Sequence, residues 1–305
     1  MARYEVVIIG GGPAGLTAGL YAARAGLKTA ALEKGMFGGQ IVNAHKVENY
    51  PGFPDGISGF DLVSLMHQQA TRYGLEIINV EATGIKAGKP HSVFTADGNF
   101  EANAVIIAAG SEYTKLGVDG EKEFVGRGVS YCATCDGAFF KDREVAVIGG
   151  GDTAITDALE LTQHASKIYV IHRRDQLRAS QVLQQRAFDQ PKMKFLWDSI
   201  VEKVSGAAMV TELKLKNMKT GEKSTLPVSG VFVAIGLKPN SQNFANVVKV
   251  DEAGQIIVDQ SMATCVPGIF AIGDIRNNSA RQVSTAVGDG ATAAINAFKY
   301  IREQS

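Results

Sequence analysis

Two glycine-rich turns constrain this chain more than any other feature. The first is VVIIGGGPAG, with Gly10, Gly12 and Gly15 in GxGxxG register; the second is VAVIGGGDTA, with Gly149, Gly151 and Ala154 in GxGxxA register. Each lies between an apolar, strand-like run and a small-residue, helix-like run. There the glycines permit a tight turn and let the backbone approach a pyrophosphate, while the following helix points its amides and dipole at the anion. Pro13 and Ala14 open the first such helix. Asp152 and Thr153 open the second, where Asp152 is expected to cap it.

The pattern around these turns is strand alternating with helix, the signature of parallel sheets. Strands are expected over 5–9, 28–32 and 104–109, helices over 13–25 and 62–73, and a hairpin over 92–103 turning at Asp97 and Gly98. The pattern then restarts, with strands over 144–148, 167–171 and 231–235, a helix over 153–164 and a hairpin over 211–224. Residues 255–275 return to strands, and a long helix covers 285–301. The first unit lacks its far end after Gly110, and a strand-rich segment without a fingerprint follows Asn240. The economical reading is α/β, with two Rossmann-like three-layer dinucleotide-binding domains, the second inserted in the first. Segments 1–114 and 244–305 form one domain, residues 115–243 the other, and the crossings near 113–116 and 238–243 form a hinge. Two sequential domains with a C-terminal subdomain are the alternative.

Composition narrows the class. The chain has 305 residues, 45% hydrophobic and 20% charged, which suits two ordinary globular domains. Its formal net charge is zero, which gives no electrostatic footprint for nucleic acid or an acidic membrane. No apolar run approaches the ~18–20 residues of a membrane span. A strand that begins by about Tyr4 leaves no room for a signal peptide. Three cysteines are too few, and of the wrong parity, for a secreted disulfide framework. The expectation is a cytoplasmic protein, in whose reducing surroundings a CxxC is catalytic or metal-binding rather than structural.

Glu33 closes the second strand about 20 residues after the first turn, where a carboxylate accepts from ribose hydroxyls; a solvated strand-end charge is the bland alternative. After the corresponding strand of the second unit that carboxylate is missing. The chain reads His172, Arg173, Arg174 and then Arg178, cationic donors suited to a 2′-phosphate and hence to NADPH. A solvated basic loop is the alternative. Cys132 and Cys135 form a CxxC in YCATCDG. No second Cys or His pair stands at ligand spacing, since Cys265 is alone and His45, His67, His91, His164 and His172 are scattered, so no metal site is expected. A CxxC closes a small disulfide ring that exchanges readily, and a thiol at a helix start is the more easily ionised. Two dinucleotide sites and one dithiol read as an electron relay from nicotinamide to flavin to disulfide. Cys265 is expected to be a packed or half-exposed residue without a role.

The set GGGPAG, GGQ at 38–40, VENYPGFP at 47–54, YCATCDG, VIGGGDTA, HRRDQLRAS and GIFAIGD resembles bacterial-type, low-molecular-weight thioredoxin reductases over essentially the whole chain. The resemblance implies FAD in the discontinuous domain, NADPH in the inserted one, a homodimer, and thioredoxin or a thioredoxin-like protein as partner. It places Gly10, Gly12, Pro13, Ala14, Gly15, Glu33 and Gly110 at the flavin nucleotide, and Asp274, after Gly273, at the ribityl chain; a helix cap is the alternative for Asp274. Gly39, Gln40 and Asn49 would approach the flavin ring, as would the backbone of Arg281, Gln282 and Val283, although Asn49 reads nearly as well as a turn residue before Pro51. Gly149, Gly151, Asp152, Thr153, Ala154, His172 and the three arginines would hold NADPH. Cys135 would face the flavin, Cys132 would attack the partner disulfide, and Asp136 would be the acid that protonates a departing thiolate or the flavin, while also serving as an N-cap. A flavoprotein exchanging electrons with ferredoxin is the nearest alternative, and a flavin-binding sensor without turnover the next. Because dithiol and nicotinamide share one domain yet serve the same flavin, two domain orientations are expected.

Overall fold

The computed structural model describes residues 2–44 and 46–304. The chain divides into two compact units, one of residues 1–112 with 238–305 and the other of residues 113–237. The first segment supplies β1 (Ala2–Ile9), α1 (Pro13–Arg24), β2 (Thr29–Glu33), α2 (Gly59–Arg72), β3 (Glu76–Asn79), β4 (Ala82–Lys86), β5 (His91–Thr95) and β6 (Gly98–Ile107). At the crossing lies β7 (Ser111–Tyr113). The middle segment supplies β8 (Val129–Ser130), α3 (Ala133–Asp136), β9 (Glu144–Ile148), α4 (Asp152–Leu161), β10 (Lys167–Ile171) and α5 (Gln181–Phe188). It continues with β11 (Met193–Leu196), β12 (Ser199–Gly206), β13 (Val210–Asn217), β14 (Lys223–Pro227) and β15 (Gly230–Val233). The return crossing is β16 (Leu237–Pro239), and the last segment gives β17 (Ile269–Ala271) and α6 (Val283–Glu303).

In the first unit the sheet order is β3-β2-β1-β6-β5-β4, with β17 also on β6. Strand β1 is parallel to both neighbours, and Val6 to Ile9 are buried on both faces. Such a strand must read as a continuous apolar run rather than an alternating one. One face is covered by α1 and α6, whose Leu16, Ala18, Ala293, Ala294 and Ala297 pack over Val6, Ile8, Ala104 and Ile106. Contact is close because Gly290 carries no side chain; a Cβ there would collide with the Ala14 carbonyl. On the other face Phe244, Val248 and Ile256 cover Val7, Ile9, Val105 and Ile107.

The second unit repeats the plan with a different lid. Its parallel sheet runs β11-β10-β9-β15-β8. Val145, Val147, Ile168, Val170 and Phe232 face α4, whereas Ala146, Ile148, Ile171, Val231 and Val233 face the antiparallel sheet β12-β13-β14 through Val201, Val204, Leu213 and Leu215. The period-two split of each strand between two cores is what a three-layer unit requires.

Two expectations are corrected. The hairpin at 92–103 and the buried strand at 104–109 share a strand: β6 pairs antiparallel with β5 over Gly98–Ala102, then parallel with β17 over Val105–Ile107. Residues 255–275 hold only β17 as a strand, with isolated bridges at Val250–Ile256, Ile256–Arg276 and Ala263–Phe270. Helix α5, for which the sequence pattern gives no expectation, is short, with Val182 and Phe188 exposed.

Candidate functional site

Strand β1 is followed by Gly10, whose φ of +110° and closeness to the Ala108 carbonyl exclude any side chain. The chain turns into α1 with Gly12 as N-cap and Pro13 as the first helical residue. No side chain caps α1, so its first amides are left for a ligand. Gly15 lets the helix settle on the Gly10 carbonyl, and Ala14 is buried. A Cβ on Gly12 would meet nothing nearer than the Gly39 Cα at 4.0 Å, leaving both backbones bare where a cofactor would lie. Glu33 reaches this turn from the end of β2 and accepts the Gly11 amide at 2.7 Å.

The other expected flavin contacts converge on the same unit. The Gln40 amide donates to the Ser111 carbonyl, and Asn49 donates to Gln282 Oε1 at 3.2 Å. Gly110 has a φ of +64°, and its carbonyl accepts the Asn240 amide at 3.0 Å. Gln282 is the N-cap of α6 and Val283 its first residue, while Arg281 takes a left-handed φ of +58°. Asp274 lies inside the 3-10 turn Gly273–Ile275 and caps nothing. Burial pushes its carboxyl above the usual carboxylate range, against the pull of Arg281. The Arg281 Nε and Ser111 Oγ atoms are buried without hydrogen-bond partners. Unsatisfied polar groups beside bare glycine backbone fit a polar cofactor such as FAD.

Sequence reasoning missed the brace behind Asp274. Asp289, on α6, accepts the Gly273 amide at 3.0 Å and pairs with Arg276 at 2.8 and 2.9 Å. Its signal was a charge in the small-residue run VGDGATAA.

The second glycine turn follows β9. Gly149 has a φ of +149°, and a Cβ there would stand 2.4 Å from the Ala234 carbonyl oxygen and 2.6 Å from the Cβ of Ala154, so no side chain fits at that position. Gly151 is the N-cap of α4 and open to the surroundings. Asp152 does not cap the helix: it is the first helical residue, and its Oδ1 accepts the Ser180 amide at 2.6 Å. The reason is that the chain after β10 folds back beneath the turn, where the Arg178 and Ala179 amides donate to the Gly150 carbonyl at 2.6 and 3.1 Å. Thr153 follows within α4. Arg173, Arg174 and Arg178 are exposed, and all three lie near enough to His172 to lower its proton affinity further, burial being the main cause. His172 Nε2 is buried without a partner. Three exposed guanidinium groups without an ion pair among the described residues, and an unsatisfied imidazole, one strand after the turn, fit a phosphate-bearing dinucleotide.

Cys132 and Cys135 form a disulfide, S–S 2.07 Å. Cys132 is the N-cap of α3, its Sγ accepting the Cys135 amide at 3.2 Å, while Asp136 occupies the N-cap position of the following 3-10 turn at Gly137–Phe140 without a side-chain cap bond. Cys135 is exposed and Cys132 half-buried. Asp136 accepts from Ser130 Oγ at 2.6 Å. Burial lifts its carboxyl above the ordinary range, and the Ser130 hydroxyl draws it part of the way back. Tyr131 donates to Glu121 at 2.9 Å and stacks on Tyr113, ring centroids 5.2 Å apart. Glu121 is itself buried and also accepts the amides of Leu116 and Gly117, at 2.9 and 2.8 Å. Neither Ser130 nor Glu121 is legible in the sequence. Cys265 is free and exposed rather than packed. Among the described residues no group of three His, Cys, Asp or Glu could hold a metal ion, and no helix is long and apolar enough to cross a membrane; His45 lies outside them.

Two anion-ready turns, one in each unit, have a use only where two dinucleotides serve one chain, and the disulfide offers their electrons an acceptor. This is the architecture of a dinucleotide-dependent disulfide oxidoreductase. The family model for pyridine nucleotide-disulphide oxidoreductases matches residues 4–290, and the chain belongs to that family. It is 49% identical over 302 residues to the thioredoxin reductase of Listeria monocytogenes, covering 98% of this chain and 94% of the relative. Among solved structures it is similar to the thioredoxin reductase of Streptococcus pyogenes, with TM-score 0.96 and 46% identity over 99% of each chain. It is also similar to that of Lactococcus lactis in its "FR conformation", with TM-score 0.67 and 45% identity over 98% of this chain and 99% of the other.

Proposed function

We propose that this chain is a thioredoxin reductase that moves electrons from NADPH through FAD to the Cys132–Cys135 disulfide and on to thioredoxin or a thioredoxin-like protein. The observation that carries the reading is the closed disulfide in the same unit as the arginine-flanked second fingerprint. In this reading FAD lies along Gly10, Gly12, Glu33, Gly39, Gln40, Asp274 and the start of α6. NADPH lies along Gly149, Gly151, Thr153, Ala154 and the arginines. Held there, the nicotinamide would supply a hydride and FAD would supply two-electron chemistry towards the disulfide.

What the chain's own residues do follows from thiol chemistry. Two electrons and two protons convert the disulfide to a dithiol. Cys132, as thiolate, attacks one sulfur of the partner disulfide and expels the other as a thiolate, to which Asp136 gives a proton. Cys135 then attacks the Cys132 sulfur, restores the internal disulfide and frees the reduced partner. The enzyme is expected to act in the cytoplasm, where a dithiol stays catalytic, and as a homodimer. The dithiol and the second glycine turn share one unit yet would serve one flavin, which supports more than one domain orientation during the cycle. Relatives linked to ferredoxin lack either the CxxC or the arginine cluster; this chain carries both.

The test is direct. The purified protein should be yellow, bleach on adding NADPH, and reduce a bacterial thioredoxin. Cys132→Ser and Cys135→Ser should each abolish thioredoxin reduction while retaining NADPH-dependent reduction of ferricyanide. A colourless protein, or one that bleaches only with reduced ferredoxin, refutes the reading.

A further inference from the structure

Asp136 is tied to Cys132 twice. Its amide donates to the Cys132 carbonyl at 3.2 Å, and its carboxylate meets a hydroxyl that in turn accepts the Cys132 amide. That hydroxyl belongs to Ser130, which is buried on β8 and held in register by the parallel pairing of β8 with β15.

A serine hydroxyl has one proton and two lone pairs. Ser130 Oγ has three neighbours in reach: Asp136 Oδ2 at 2.6 Å, the Cys132 amide at 3.1 Å and the Cys132 carbonyl at 3.3 Å. The amide can only donate, so a lone pair goes to it. The single proton goes to the closer and more basic oxygen, at a distance typical of a hydroxyl bonded to a carboxylate. The hydroxyl therefore has a fixed direction, and it relays the position of the Cys132 peptide to the Asp136 carboxyl.

We propose that Ser130 is a positioning residue of the dithiol reaction, holding the Asp136 carboxyl against the peptide of Cys132 as a proton donor of set strength. The proposal rests on the reading of Cys132, Cys135 and Asp136 given above. Burial favours the neutral carboxyl, whereas a donated hydrogen bond favours the ionised one, so deleting the hydroxyl leaves burial unopposed. Other ionisable groups stand on the neighbouring elements. Glu160 on α4 accepts from Thr134, and His164, just past α4, lies against Gly137. Asp157 also belongs to α4, and Lys141 follows the 3-10 turn at Gly137–Phe140. At Asp136 itself burial is the larger influence and the Ser130 hydroxyl opposes it.

The experiment measures the pH dependence of thioredoxin reduction by the FAD-loaded, full-length enzyme for wild type, Ser130→Ala, Ser130→Val, Ser130→Thr and Asp136→Asn. Activity that needs a protonated Asp136 falls as pH rises through its titration. Ser130→Ala should move this falling limb upward by roughly one pH unit, a tenfold change in proton affinity. Ser130→Thr, which keeps the hydroxyl, should restore the wild-type limb. If the alanine variant does not fold, the Thr and Val pair, matched in volume, carries the comparison. An alanine or valine limb that coincides with wild type, or a threonine limb displaced as far as theirs, overturns the proposal. Loss of the limb in Asp136→Asn together with an unmoved limb in Ser130→Ala defeats the positioning role alone. An Asp136→Asn profile identical to wild type defeats the acid assignment beneath it.

Discussion

The arginines show how much a single position can decide. Arg173, Arg174 and Arg178 are exposed, make no ion pair among the described residues, and stand where a carboxylate would select the unphosphorylated cofactor. Each lost charge-assisted contact costs about 1.5–3 kcal/mol, with exposure favouring the lower figure. Arg173→Ala with Arg174→Ala should therefore raise KM for NADPH at least tenfold while sparing NADH. Steady-state kinetics with both nucleotides check this, and equal wild-type use of the two would contradict it. Asp136 carries a stability consequence of its own. Burial raises its proton affinity in the folded state, so its contribution is present below the unfolded carboxylate value of about 4 and is lost as pH rises through the folded value. Asp136→Asn should thus melt higher than wild type at neutral pH, with the gap closing near about pH 4. A gap independent of pH across that range would count against the burial argument.

At the scale of elements, packing rests on small contacts with large effects. Helices α1 and α6 meet at Gly290, where a Cβ would collide with the Ala14 carbonyl and stand 3.0 Å from the Ala18 amide. Those are backbone atoms and cannot swing aside. Gly290→Ala should destabilise the protein by about 1–3 kcal/mol despite alanine's better helix propensity, read as a lower denaturation midpoint. A midpoint at or above wild type would show that the helices can part without cost. The elements that carry a strict local pattern were legible in the sequence. Strands β1 and β9 are apolar runs ending in glycine, and α1 and α4 follow them without an interval that could be misread. Ser130, Glu121 and Asp289 were not legible. Their partners lie 4 to 16 residues away across turns whose course no local pattern fixes. Strand β6 escaped for a related reason: its two halves serve different partners, so half of it reads as a hairpin and half as a buried strand.

For the whole molecule, the proposed cycle requires one unit to present first its nicotinamide site and then its dithiol to the same flavin. A covalent lock tests this. Cysteine pairs placed one in each unit and bridged by a bifunctional thiol reagent should reduce NADPH-to-thioredoxin turnover at least tenfold, a barrier raised by about 1.4 kcal/mol or more, and cleaving the bridge should restore it. Full turnover in a verified cross-linked sample would rule out obligatory rotation. The crossings that would bear such a motion are not loose strings. β7 and β16 form a two-stranded sheet, bracketed by the Thr114 amide on the Gly236 carbonyl at 2.9 Å and the Asn240 amide on the Gly110 carbonyl at 3.0 Å. Entry and exit of residues 113–237 thus lie side by side. A segment whose two ends are neighbours can be excised or exchanged with only a short splice, leaving the host sheet intact. The middle unit is therefore a cassette: other domains of similar end spacing could be grafted at the same seam, giving one flavin fold a choice of electron donors and acceptors.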